Sequence, residues 1–200
     1  MRPLANYIMR GRMQAALVVG IAAAIPILFV VSAAAASLVL MRRGFEQAAP
    51  VLVWAIIPAA IWAFLGDPYG LLVICFTLAL AYVLRETSAW LKALIASVVL
   101  GLGCVWGIQI LFAGPITELV TTIKAALPQV LAGVYEELSA DDVLKLESLL
   151  EPVLTGLMAA TVQFTSLLSL MLARYWQASL YNPGGFGQEF RRIRLPRLVA

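Results

Sequence analysis

Long apolar runs alternate with short polar breaks along this chain. Gln14 to Met41 is apolar and Ala-rich, interrupted by Pro26. Four further runs follow at Ala48–Leu65, Tyr69–Leu84, Ala89–Phe112 and Leu149–Ala173. An α-helix rises 1.5 Å per residue, so ~20 apolar residues cross a hydrocarbon core of ~30 Å. The four later runs therefore read as spans. Between the last two, residues 115–148 break the pattern. There Ile116, Leu119, Val120, Ile123, Leu127, Val130, Leu131 and Val134 recur at helical spacing with polar residues between them, and Val143, Leu144, Leu146, Leu149 and Leu150 form a second amphipathic piece. Ser139-Ala140-Asp141-Asp142 reads as a helix start, with its acids at the positive end of the helix dipole.

The first run poses a choice. As one helix it would be about 42 Å long, well beyond the hydrocarbon core. Either it tilts as a single helix or it folds into two short legs at Ile25-Pro26, where proline cannot donate to the helix ladder. The charges decide. Arg2, Arg10, Arg12, Arg42, Arg43, Arg85, Arg174, Arg191, Arg192, Arg194 and Arg197 all flank apolar runs. Seven of the eleven acids lie between Glu118 and Glu151. A single crossing would scatter the arginines over both faces, whereas a hairpin gathers them on one face and leaves the acidic stretch on the other. Arginine marks the cytoplasmic side, so the hairpin is expected, with both the N-terminus and residue 200 cytoplasmic. Each leg of about 12 to 15 residues is too short to span alone and needs neighbouring helices to shield its turn.

The expected fold is thus all-α: a polytopic transmembrane helix bundle of about six membrane segments. These are the broken hairpin 14–41 and the spans 48–65, 69–84, 89–112 and 149–173. An amphipathic outer segment, 115–148, and a basic cytoplasmic tail, 182–200, complete it. Gly66-Asp67-Pro68 closes one pair of spans outside and Arg85-Glu86-Thr87-Ser88 the next pair inside. Trp62, Trp90 and Trp176 fall near interfaces, as in an aromatic belt. The chain reaches Leu195-Pro196-Arg197-Leu198-Val199-Ala200 as though another apolar span were starting, so a continuation is expected.

Composition agrees with this class. Hydrophobic residues make up 62% of the chain and charged ones 12%, against roughly 25% charged in soluble domains. The net charge of +3 carries no basic stripe with interleaved aromatics, so no nucleic-acid partner is expected. A secretory signal peptide is set aside because the first run is too long for an h-region and more spans follow.

Candidate chemistry is sparse. With no histidine in the chain, histidine triads, histidine proton relays and the usual zinc sites are excluded. Cys75 and Cys104 lie within apolar runs and read as buried thiols. Asp141 and Asp142 with Glu136 and Glu137 raise the idea of a metal site, but a solvated face and helix cap explain them, so neither metal nor cofactor is expected. Asn182-Pro183-Gly184-Gly185-Phe186-Gly187 is a turn-rich loop without the Lys-Ser/Thr of a phosphate loop. Gln188 to Arg197, basic with Phe190, Ile193 and Leu195 interleaved, reads as an interfacial helix on the cytoplasmic leaflet. No ionisable residue lies well inside a span, which argues against a proton-coupled pump. With no nucleophile–base pair, an enzyme is not expected.

Two constellations remain. Thr161, Gln163 and Thr165, with Gln109, Ser166 and Ser169, are the mild polar residues of the spans. They either line a ligand cavity beneath the acidic segment or bond helices together. Ala16, Gly20 and Ala24, then Ala33 and Ser37, are small residues at four-residue spacing. They either pack within the chain or dock a partner membrane protein.

The broken first run around Ile25-Pro26, the Met41-Arg42-Arg43-Gly44-Phe45 junction, the Leu65-Gly66-Asp67-Pro68 turn and the Phe190-Arg191-Arg192-Ile193-Arg194-Leu195-Pro196-Arg197 tail together resemble the YybS-like membrane proteins. That bacterial family, of unknown function, is distantly similar to the substrate-binding S components of energy-coupling-factor transporters. The resemblance implies a compact six-helix bundle in a bacterial inner membrane, with a cavity open to the outside and an Ala-rich stripe on the first helix for an energising partner. No vitamin-binding signature is matched. The leading expectation is an S-component-like small-molecule binding or transport subunit, with Thr161, Gln163 and Thr165 as contacts; the alternative is a non-catalytic membrane scaffold or assembly protein that recruits partners through the Ala16/Gly20/Ala24 stripe and the basic tail. The sequence names no substrate, oligomeric state or energising partner.

Overall fold

Helix formation follows the apolar runs closely, and the computed structural model describes residues 2–111, 113–130 and 140–191. All regular structure among them is helical. In chain order the helices are α1 (Arg2–Arg10), α2 (Arg12–Ala24), α3 (Phe29–Arg43), α4 (Phe45–Phe64), α5 (Tyr69–Thr87), α6 (Trp90–Leu111), α7 (Ala113–Val130), α8 (Ala140–Tyr181) and α9 (Gly185–Arg191). Four of them, α4, α5, α6 and α8, are long and apolar enough to cross a membrane. Residues 1–100 and 162–200 form one compact unit and residues 101–161 another.

The first run breaks where the proline predicts. α2 ends at Ala24, Ile25 is extended, and α3 begins at Phe29. The backbone turns through Ile27 at φ 77°, a left-handed conformation rarely taken by a β-branched residue. Leu28 N–H closes the turn onto the Ile25 carbonyl at 3.2 Å. Two side chains tie the legs together. Ser32 Oγ donates to the Val19 carbonyl at 2.8 Å, and Arg43 Nη2 donates to the Met9 carbonyl at 3.1 Å. Both pairs are centred on Ile25-Pro26, so the legs run antiparallel and the first residues of the chain return to the level of Arg43. The legs have 13 and 15 residues, which gives rises of about 20 and 22 Å, short of a ~30 Å core.

α3 is the centre of its unit. Every residue from Ser32 to Met41 is buried, and the helix packs against α2, α4 and α5. A helix apolar on all sides is expected to be surrounded, and its alanines let three neighbours approach closely. Its last turn leaves carbonyls without intrahelical partners, and Arg85 Nη1, from α5, donates to Leu40 O at 2.9 Å and Met41 O at 3.2 Å. Gly44 then takes φ 83° and ψ 168° to start α4.

α4 carries Pro50 and Pro58 within the helix. It closes at the expected Gly66-Asp67-Pro68 turn, where Gly66 takes φ 101° and Asp67 Oδ1 accepts the Tyr69 N–H at 3.1 Å to cap α5. α5 extends beyond the expected span, through Thr87, and its turn narrows to Ser88-Ala89, with Ser88 left-handed at φ 49°.

In the second unit, α7 turns Ile116, Val120 and Leu127 inward, the spacing of an amphipathic helix. Lys124 Nζ meets Glu147 at 3.5 Å, linking α7 to α8. One sequence boundary changes here. The second amphipathic piece and the last span, separated at residue 149 in the sequence reading, form one helix of 42 residues, α8. At about 63 Å it is twice the hydrocarbon thickness. Helix propagation costs little once begun, so a change from amphipathic to apolar composition does not stop it. Asp141 and Asp142 do stand in its first turn. Asp142 faces Lys145 at 3.8 Å, while Ser139, Glu136, Glu137 and the tail from residue 192 lie outside the described residues. Cys104 is buried, but Cys75 is exposed on its helix.

Candidate functional site

Three polar residues of the last span, Gln163, Thr165 and Ser166, reach neighbouring helices, while Ser169 donates to the Thr165 carbonyl of its own helix. Thr165 Oγ1 and the Tyr69 hydroxyl share a hydrogen bond of 2.7 Å between α8 and α5. The Tyr69 ring is held edge-on against Phe29, with centroids 5.3 Å apart. Gln163 Nε2 donates to Ser97 Oγ on α6 at 3.3 Å, and Ser166 Oγ donates to the Val73 carbonyl at 3.3 Å. Thr161 is exposed and donates to the carbonyl of Met158 in its own helix at 2.8 Å. Thr161, Gln163 and Thr165 therefore reach three different partners.

The small-residue stripe has two sides. Gly20 faces α4: a Cβ there would meet the Trp54 carbonyl at 3.5 Å. Pro58 offers no N–H to that carbonyl, which in an uninterrupted helix would accept from residue 58. Beside this contact Ala16, Gly20 and Ala24 form one wall of an open groove, and Pro50, Val51, Trp54 and Pro58 form the other. The groove has a volume of about 560 Å³. Its walls are apolar except at one end, where Arg12 lies. Met13, Leu17 and Ile21 stand exposed along its rim.

A second, smaller cavity of about 170 Å³ lies at the arginine end of the same unit, lined by Met41, Leu84, Arg85, Ser88, Arg174, Gln177 and Glu189. Its walls are mainly polar. Arg174 grips Glu189 with two parallel hydrogen bonds, Nε to Oε2 at 2.9 Å and Nη2 to Oε1 at 2.5 Å. Its Nη1 donates to Gln177 at 2.6 Å. Trp90 Nε1 donates to the same carboxylate at 3.3 Å. Phe186 packs edge-on against Trp90 and Tyr175, with centroids 6.4 and 6.1 Å apart, so ring contacts and charge together seat α9. Partial burial raises the Glu189 pKa. The Arg174 hydrogen bonds and charge, with the Trp90 bond, outweigh it and hold the carboxyl below the usual range. Nearby, the Arg42 guanidinium stacks over the Tyr181 ring at 4.0 Å.

Sequence reasoning treated these arginines as orientation signals. Arg43, Arg85 and Arg174 also bond across helices; for Arg43 and Arg85 the available hint was their position in the last turn of a helix, where cations are favoured. Comparison with protein-family models, with curated proteins and with solved structures finds no match.

Proposed function

We propose that the protein is a non-catalytic integral membrane scaffold, its arginine end cytoplasmic, that receives a transmembrane helix of a partner protein in the groove between α2 and α4. One observation carries this reading. A lipid-facing helix pair needs no hollow, yet small residues at three positions four apart recess this surface beside two prolines. Small-residue stripes let helix backbones approach closely, and van der Waals packing then drives association in lipid. The alternative, a small-molecule transport subunit, draws less support because Gln163 and Thr165 have hydrogen-bond partners on neighbouring helices.

A photo-reactive side chain at Leu17, on the groove rim, is expected to cross-link one defined membrane protein in native membranes. Filling the groove with Ala16→Leu and Ala24→Leu should abolish that product, and the same probe at exposed Phe164 should not give it. Lipid adducts alone, unchanged by the filling substitutions, would refute the scaffold reading. A metabolite that raises the thermal stability of the wild type but not of Gln163→Leu would favour transport instead.

A further inference from the structure

The polar cavity at the arginine end plays no part in that reading. Two guanidinium groups, Arg85 and Arg174, line it together with Gln177 and Ser88, against one carboxylate, Glu189. Arg85 is anchored by the carbonyls of Leu40 and Met41 through Nη1. Its Nε lies 3.9 Å from the half-exposed Glu86, and its Nη2, beside Gly44, has no partner among the described residues. The cavity lining therefore carries two guanidinium groups against one carboxylate, with the Arg85 charge shared with Glu86 outside it. Arg174 holds Glu189 in the two-bond fork by which arginine also holds phosphate. Glu189 belongs to a short helix after the Asn182-Pro183-Gly184 turn, a segment seated by one ring and one ion pair.

We propose that this cavity binds a single phosphate-class anion, and that Glu189, on its wall, holds the Arg174 fork in cis as a carboxylate standing in for the ligand's oxyanion. The volume of about 170 Å³ is many times the ~10–15 Å³ that a single water needs, room for one phosphate or phosphodiester group. The ligand takes over the Arg174 fork, meets the charge of Arg85 and the Ser88 hydroxyl on the cavity lining, and displaces Glu189. Because the competitor is tethered, the wild-type affinity is reduced by the fraction of time that Glu189 is away.

Glu189→Gln keeps the shape and removes the competing charge. The probes are inorganic phosphate, at ionic strength matched with chloride, and phosphatidylglycerol in phosphatidylcholine nanodiscs. The readouts are thermal shift of the full chain in detergent for the first and native mass spectrometry of retained lipid for the second. Glu189→Gln is expected to bind about tenfold more tightly than wild type, the fold-change of one charge-assisted hydrogen bond. Arg174→Gln added to it should remove the gain. A gain with phosphatidylglycerol alone identifies a lipid headgroup, a gain with phosphate alone a free anion, and a gain with both the shared phosphate chemistry. Equal binding by wild type, Glu189→Gln and the double variant for both probes overturns the proposal. If the double variant does not fold, Arg174→Lys in the Glu189→Gln background replaces it: retained charge without the fork should still lose the gain, and an undiminished gain overturns the proposal.

Discussion

The Tyr69–Thr165 hydrogen bond offers a measurable separation between helix glue and ligand contact. At 2.7 Å it joins residues 96 positions apart in sequence. Tyr69→Phe removes the hydroxyl and leaves the ring on Phe29, and Thr165→Val removes its partner with little change of volume. A neutral hydrogen bond contributes about 0.5–1.5 kcal/mol net, and interhelical bonds in membranes average ~0.6 with a maximum near ~1.7 kcal/mol. Both groups are half-buried, and the Phe29 contact already restricts the tyrosine ring, so less entropy is lost on bonding. A coupling energy of about 1 kcal/mol is therefore expected. The assay is a double-mutant cycle over the four proteins, unfolded reversibly in mixed micelles. A coupling indistinguishable from zero would refute the bond as glue. So would a Thr165→Val variant with wild-type stability that has lost a ligand-induced thermal shift, since that pattern belongs to a binding residue.

Two further outcomes follow from the same geometry. Gly44→Ala should destabilise the protein by about 1–3 kcal/mol, because φ 83° with ψ 168° is a region essentially reserved for glycine, and its Cβ would also press on the Arg85 guanidinium; thermal unfolding in detergent checks this. The Arg174–Glu189 clasp should be pH-sensitive on the acid side. Its carboxyl is held below the usual range, so its stabilisation is full above the ordinary carboxylate pKa and is lost as pH falls through the lowered folded value. Tryptophan fluorescence titrated from neutral to acid pH should report release of Trp90 in the wild type, and the same transition in Glu189→Gln would contradict it.

The broken first run was legible because two independent constraints met there. Pro26 weakens the ladder there without by itself ending a helix, as Pro50 and Pro58 within α4 show, and the arginines on both sides of the run favour a return. The Ser32–Val19 and Arg43–Met9 bonds fall symmetrically about that point. That Ile27 carries the positive φ was not legible, since proline marks the break without saying which neighbour absorbs it. The extent of α8 was hidden for a different reason. Periodicity reports the environment of a helix, and between Ala140 and Tyr181 the environment changes while the helix continues. The partners of Thr165 and Gln163 are 96 and 66 residues distant, so no local pattern could assign them. Glu189, the one acid in a basic tail, meets Arg174 15 residues before it in the chain, a pairing that no local pattern marks.

In the proposed topology the hairpin returns the chain to its starting side, so the arginines lie on the cytoplasmic face and the acids on the other. Single cysteines at positions 12, 42 and 142, placed in a Cys75→Ser, Cys104→Ser background, can be labelled from either side of sealed membranes with an impermeant maleimide. Positions 12 and 42 are expected to react from the same, cytoplasmic side, and position 142 from the other. Labelling of positions 12 and 42 from opposite sides would contradict the account.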